Sequence, residues 1–129
     1  MVALVHAFSG FSVDDLDAAK DFYGQVLGLA VEESSNGNLV LNLPGGGEVF
    51  VYPKIDHVPA TFTILNLVVA DIDDAVDSLN AAGVVTKIYS TPDFNTDNKG
   101  IARGKAAGFG PDIAWFRDPS GNTLSVLCE

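Results

Sequence analysis

The stretch VDDLDAAKDFYGQVLGLAVEE, residues 13–33, returns in altered form as VADIDDAVDSLNAAGVVTKI, residues 69–88. Repetition constrains a chain this short more than any single motif does. Two copies of one supersecondary unit must fold in the same way and pack as relatives. A unit of roughly 55–60 residues buries only part of its own surface and is marginal alone. With 129 residues in all, the chain has room for both copies and little else.

Each copy reads as a capped amphipathic helix. In the first, Asp15 caps, and Leu16, Ala19, Phe22, Tyr23, Val26 and Leu27 form the apolar stripe. Gly28 stops it. In the second, Asp71 caps, Ile72, Ala75, Val76 and Leu79 form the stripe, and Gly83 stops it. Aligning Asp15 with Asp71 also aligns Val13 with Val69, Asp17 with Asp73 and Ala19 with Ala75.

The surroundings repeat too. Extended apolar runs, 2–13 and 61–70, precede the helices. Strand-like runs at 29–34, 39–43 and 48–53 follow the first helix, and runs at 84–90, 112–117 and 122–128 follow the second. SSNGN (34–38), PGGG (44–47) and DPSGN (118–122) mark the turns. The expected organisation is a single domain, 1–129, with one module at 1–53, a linker at 54–60 and a second module at 61–129.

Alternation along the strands assigns their faces. Ser9, Phe11 and Val13 share the side that leads under the helix, whereas His6, Phe8, Gly10 and Ser12 share the other. In 61–70, Leu65, Leu67 and Val69 face the helix, and Ile64, Asn66 and Val68 face away. In the last strand Leu124 and Val126 are core, which leaves Thr123, Ser125 and Leu127 on the open side.

Bulk properties narrow the function. The chain is 47% hydrophobic and 19% charged, a globular composition. No apolar run reaches the ~18–20 residues of a membrane span. The opening MVALVHAFSG has no basic start and no long apolar stretch, so no secretory signal is expected. One cysteine, Cys128, excludes an internal disulfide and suits a reducing compartment, so the cytoplasm is the expected location. The net charge is −10, with seven scattered Lys and Arg, which excludes nucleic acid as a natural partner.

The stretches SVDDLDAAKDFYGQVLGL (12–29), LVVADIDDAVDSLNAAGV (67–84) and WFRDPSGNTLSV (115–126) resemble the vicinal oxygen chelate superfamily. That superfamily includes glyoxalase I, extradiol dioxygenases and bleomycin resistance proteins. The resemblance covers nearly the whole chain. It implies an α+β fold in which tandem βαβββ modules form curled mixed sheets around a cup, with helices on the outer face. It also implies a homodimer.

Enzymes of the superfamily usually hold a divalent metal through His, Gln or Glu on the first strand of each module and on the last strand. Counting from the motifs, those positions fall on Phe8, Ile64 and Ser125. Phe and Ile have no donor atom, and a lone Ser hydroxyl is a poor ligand for a transition metal. No metal and no cofactor are therefore expected. The expected function is metal-free binding of a small apolar or aromatic molecule in the cup, by His6, Phe8, Ile64, Asn66, Trp115 and Ser125. The alternative is a metal-dependent lyase, isomerase or dioxygenase with displaced ligands, or a metal-free catalyst using a pocket His or Tyr. A displaced set of His6, His57 and Glu129 would need three ends of the structure to converge. The plainer reading puts His6 near a strand end and His57 in the linker, hydrogen-bonded or exposed.

Other features carry less. PGGGE (44–48) joins two strands and lacks the Lys-Ser/Thr of a phosphate loop. DFNTDNKG (93–100) alternates oxygen-bearing residues but lacks the Gly and Glu of a calcium loop. Residues 91–111 read as a long loop whose Lys99, Arg103 and Lys105 could meet a polar ligand, Arg103 being the candidate. Tyr52 and Tyr89 are further candidates for the lining.

Overall fold

The computed structural model describes residues 1–90 and 95–129. The chain divides into two compact units, Met1–Val58 and Pro59–Glu129. The expected linker is thus shared out between them. Lys54 N donates to the Val13 carbonyl at 3.0 Å, which holds the start of the linker to the first unit. Ala60 N donates to Asn122 Oδ1 at 3.0 Å, which holds its end to the second.

The first unit runs β1 (Ser9–Val13), α1 (Leu16–Asp21), a π-helical turn (Phe22–Val26), β2 (Ala30–Glu33), β3 (Leu39–Asn42) and β4 (Glu48–Pro53). Asp15 caps α1, its side chain accepting from Ala18 N. Such a cap contributes about 1 kcal/mol. The expected helix does not stay α-helical to its end. After Asp21 it widens, and Leu27 N reaches back five residues to the Phe22 carbonyl at 3.0 Å. Gly28 then takes φ +73°, the left-handed turn that the sequence marks. Phe22 and Tyr23 are both buried, with their rings edge-on at 5.3 Å.

The sheet order is β1-β4-β3-β2, with β1 parallel to β4 and the other pairs antiparallel. Val13, Leu39, Leu41 and Val51 are buried on the face that carries α1. Phe11 joins them there, its ring 5.6 Å from that of Tyr23. Strand β1 is shorter than the expected run 2–13, because residues 1–8 form no ladder.

The second unit runs β5 (Thr63–Val68), α2 (Ile72–Ala81), β6 (Ile101–Arg103), α3 (Gly104–Ala107), β7 (Asp112–Arg117) and β8 (Thr123–Cys128). Its sheet order, β5-β8-β7-β6, repeats that of the first unit, and β5 is parallel to β8. Asp71 caps α2 through Asp74 N at 3.0 Å. Ile72, Val76 and Leu79 of the helix are buried, as are Ala114, Phe116, Leu124 and Val126 of the sheet. Each large apolar side chain buried in this way contributes roughly 1.5–3 kcal/mol.

One expected strand is replaced. Residues 84–89 form no strand, and the edge beside β7 is taken by β6, from within the expected loop 91–111. Of that loop, residues 91–94 lie outside the described residues. It is β6 that buries its apolar residues, Ile101 and Ala102, whereas Val85 and Ile88 of the displaced segment are exposed. The displaced segment is anchored one residue at a time. Lys87 N donates to the Trp115 carbonyl at 2.7 Å, and the Thr86 hydroxyl donates to the Lys99 carbonyl at 2.5 Å.

DPSGN proves to be a hydrogen-bonded turn whose Asp118, Ser120 and Asn122 are buried. Asp118 Oδ1 accepts from Ser120 N and Asn122 N, both at 2.9 Å, and Oδ2 accepts from Asn122 Nδ2 at 3.0 Å. Among the described residues, no helix is long and apolar enough to cross a membrane.

Candidate ligand-binding faces

In each unit the helix covers one face of the sheet, and the candidate ligand residues on the strands alternate onto the other. In the first unit the register sets Gly10 opposite Phe50 and Ser12 opposite Tyr52. Gly10 has no side chain, so the Phe50 ring stands beside bare backbone. A Cβ at position 10 would lie 3.4 Å from the Phe50 carbonyl oxygen. The rings then form a row. Phe50 stacks on Tyr52 at 5.9 Å, and Phe8 meets Phe50 edge-on at 6.3 Å. His6 lies 6.1 Å from Phe8. Phe8 is 62% exposed, an unusual cost for an aromatic ring.

A polar contact sits at the end of the row. The chain turns at 54–57, with His57 N donating to the Lys54 carbonyl at 3.0 Å. The turn brings His57 Nδ1 to 2.7 Å from Ser12 Oγ. Both residues are half-buried.

In the second unit Asn66, Ser125 and Trp115 lie side by side on β5, β8 and β7. Ser125 Oγ donates to Asn66 Oδ1 at 2.6 Å. Ser125 has no exposure, so its hydroxyl is enclosed by its neighbours. Trp115 Nε1 donates to Thr63 Oγ1 at 3.1 Å, which fixes the indole plane. The Tyr89 ring meets Trp115 edge-on at 5.7 Å, and the Lys87 ammonium lies 4.8 Å over the Tyr89 ring.

The structure therefore brings His6 and Phe8 together in one unit, and Asn66, Trp115 and Ser125 in the other. Ile64 stands differently from its expected place. The register shifts between Thr63 and Leu65, so Ile64 is the extra residue of a bulge and Thr63 takes the place opposite Thr123. Arg103 lies apart from this group. It shares the face of Ile101, which is the helix-covered one, and its guanidinium holds Asp73 of α2 at 2.9 and 2.8 Å. Nε donates to Asp97 at 3.1 Å. Asp97 Oδ1 in turn accepts from the backbone N–H of Lys99 and Ile101, each at 2.9 Å, so the DFNTDNKG carboxylate closes a turn.

Sequence reasoning missed the Ser12–His57 contact. Alternation places Ser12 on the open face, but no local pattern announces that a residue 45 positions away turns back onto it. Two surface clefts, of about 320 Å³ beside Asn80 and Thr86 and about 240 Å³ beside Lys20 and Gln25, contain none of the expected site residues.

A model of the Glyoxalase/Bleomycin resistance protein/Dioxygenase superfamily matches residues 3–126. The chain belongs to that superfamily. Its fold is shared by solved structures of other glyoxalase-superfamily proteins. A member from Sphaerobacter thermophilus is 21% identical, with 97% of this chain and 98% of that one covered and a TM-score of 0.68. The fosfomycin resistance protein FosX from Listeria monocytogenes is 12% identical, with 100% and 95% covered and a TM-score of 0.70. A lactoylglutathione lyase from Agrobacterium tumefaciens is 18% identical, with 96% and 92% covered and a TM-score of 0.63. At these identities the likeness establishes the fold. No curated protein matches the sequence.

For a glyoxalase-superfamily chain, the donor set at the implied metal positions does not fit a metal ion. Phe8 offers no lone pair, Ile64 offers none and is the extra residue of the bulge, and the Ser125 hydroxyl is enclosed and directed at Asn66. Among the described residues, no three His, Cys, Asp or Glu side chains are grouped so as to hold one.

Proposed function

We propose that this superfamily member is a metal-free, cofactor-free binding protein for a small apolar or aromatic molecule, held against the open sheet faces. The observation that carries the reading is the Phe8 ring. It stands at a position to which the resemblance assigns a metal ligand, and it continues a row through Phe50 to Tyr52. An aromatic ligand gains roughly 25 cal/mol for each Å² of apolar surface it removes from water there. Offset and edge-on ring contacts add about 0.5–1.5 kcal/mol per pair. Trp115 and Tyr89 offer a second aromatic surface of the same kind. Uptake of a toxic compound, in the manner that the words "bleomycin resistance" suggest, is one use of such a surface.

Two further features belong to the proposal. The protein acts as a homodimer, a reading supported by β1 and β5, each of which is an end strand of its sheet. It works in the cytoplasm, a reading supported by its single thiol.

The test begins with protein purified without chelator or metal-affinity resin. Elemental analysis should find no stoichiometric transition metal, and calorimetric titration with 1-naphthol should saturate. One equivalent of zinc, nickel, manganese or iron per chain, or no saturable binding, would overturn the reading. Light scattering should give twice the 13.5 kDa chain mass.

A further inference from the structure

We infer that Ser12 and His57 form a nucleophilic pair, and that the open face of the first unit acylates Ser12 from aryl esters. The inference rests on the binding reading for one element only, the aromatic row that holds the aryl group.

Three observations support it. First, Ser12 Oγ and His57 Nδ1 are 2.7 Å apart, the distance at which an imidazole takes a hydroxyl proton during attack. Second, the pair is held from both sides. Ser12 is fixed by β1, between Phe11 and Val13 of the covered face, and His57 by the turn that its own N–H closes on Lys54. A nucleophile and base held by separate backbone anchors lose little freedom on reaching the reactive geometry. Third, Tyr52 is the ladder partner of Ser12, and its ring stacks with Phe50. A planar aryl group laid on those rings therefore brings its ester carbonyl to the serine. A hydrogen-bonded Ser and His on a sheet face with no aromatic neighbours would carry no such substrate preference.

The step balances without a cofactor. Ser12 Oγ attacks the ester carbonyl carbon while its proton passes to His57 Nδ1. The C=O π electrons move onto oxygen, forming a tetrahedral adduct. As that collapses, the bond to the aryloxide breaks, and the leaving oxygen takes the proton from the imidazolium. Water then attacks the acyl carbon as its proton passes to the same Nδ1; the bond from that carbon to Ser12 Oγ breaks, Oγ takes the proton back from the imidazolium, and the carboxylic acid leaves.

The experiment uses the full chain, with 4-nitrophenyl acetate as substrate and phenylmethylsulfonyl fluoride as the aromatic label. The expected result is a burst of 4-nitrophenol and a sulfonyl adduct that peptide mass spectrometry places on Ser12. Ser12→Ala abolishes both. His57→Ala slows acylation by about 10²-fold or more, and added imidazole restores part of the rate. Circular dichroism establishes that each variant is folded. An unlabelled Ser12 in folded protein, or a labelling rate unchanged in His57→Ala, overturns the inference. The two readings fail separately. Saturable 1-naphthol binding with an unreactive Ser12 removes the pair and leaves the binding protein, whereas a reactive Ser12 without aromatic binding removes the binding reading.

Discussion

Arg103 holds the Asp73 carboxylate with both terminal nitrogens, Nη1 at 2.9 Å from Oδ2 and Nη2 at 2.8 Å from Oδ1. The pair ties the edge strand β6 to the helix α2 that covers its sheet. The first unit makes the same kind of tie with the charges exchanged, since Lys20 of α1 meets Glu33 of edge strand β2 at 2.8 Å. The second tie is the better built. It is bidentate, and Lys99 adds contacts to Asp73 at 3.2 Å and Asp77 at 2.8 Å. Fork-on-carboxylate geometry and a network are the conditions under which a surface ion pair contributes measurably. Arg103→Ala is therefore expected to lower the urea midpoint more than Lys20→Ala does. At about 1 M salt, where screening acts within ~3 Å, both losses shrink.

The same cluster predicts a direction for acid unfolding. Hydrogen bonds from Arg103, then from Lys99, hold the Asp73 carboxyl well below the usual carboxylate range. Asp97 is also lowered. Its burial works against the charge, but the backbone N–H of Ile101 and Lys99 and the side chain of Arg103 outweigh it. A carboxyl whose folded pKa is depressed releases its proton more readily in the folded state, so stability rises with pH through that window. The contribution is fully present above the unfolded value, about 3.9, and is lost as pH falls below it. Urea midpoints measured from pH 7 down to pH 3 should fall below about pH 4, with a shallower fall in Asp73→Asn.

Gly104 should resist substitution for a reason unrelated to its own backbone angles. A Cβ there would meet the Pro111 carbonyl oxygen at 2.3 Å and that of Gly110 at 3.0 Å. Both obstacles are backbone, so the segment that leads into β7 would have to move away from the start of α3. Gly104→Ala is expected to cost roughly 1–3 kcal/mol, as overpacking does. Gly28→Ala meets nothing within 4 Å and pays only for φ +73°, about 1–2 kcal/mol. Chemical denaturation of the two variants against the parent measures both.

Phe8→Ala separates ligand binding from folding. A ring that is 62% exposed contributes little to the core, so stability should change by less than about 0.5 kcal/mol. Removing the first ring of the row should weaken 1-naphthol binding several-fold in calorimetry. Unchanged binding in folded Phe8→Ala would place the ligand elsewhere than on this row.

Much of this protein is determined within a few residues of each position. The repeated helices are legible because Asp15 and Asp71 bond to N–H groups only three residues on, and because apolar residues recur each turn. The open-face positions of Ser12, Asn66 and Ser125 follow from alternation alone, since a strand turns successive side chains to opposite sides. Tertiary structure decided the rest. Nothing local distinguishes 84–90 from 101–103 as the edge strand; the choice depends on which segment buries apolar residues against β7 and α2. A bulge at Ile64 depends on the register that β8 imposes. Arg103 reads as a cation available to a ligand until α2 supplies Asp73, thirty residues away. His57 reads as a linker residue until the turn at 54–57 lays it on Ser12. Periodicity reports a residue's own element and face, whereas its partner across the fold is set by the path of the chain between them.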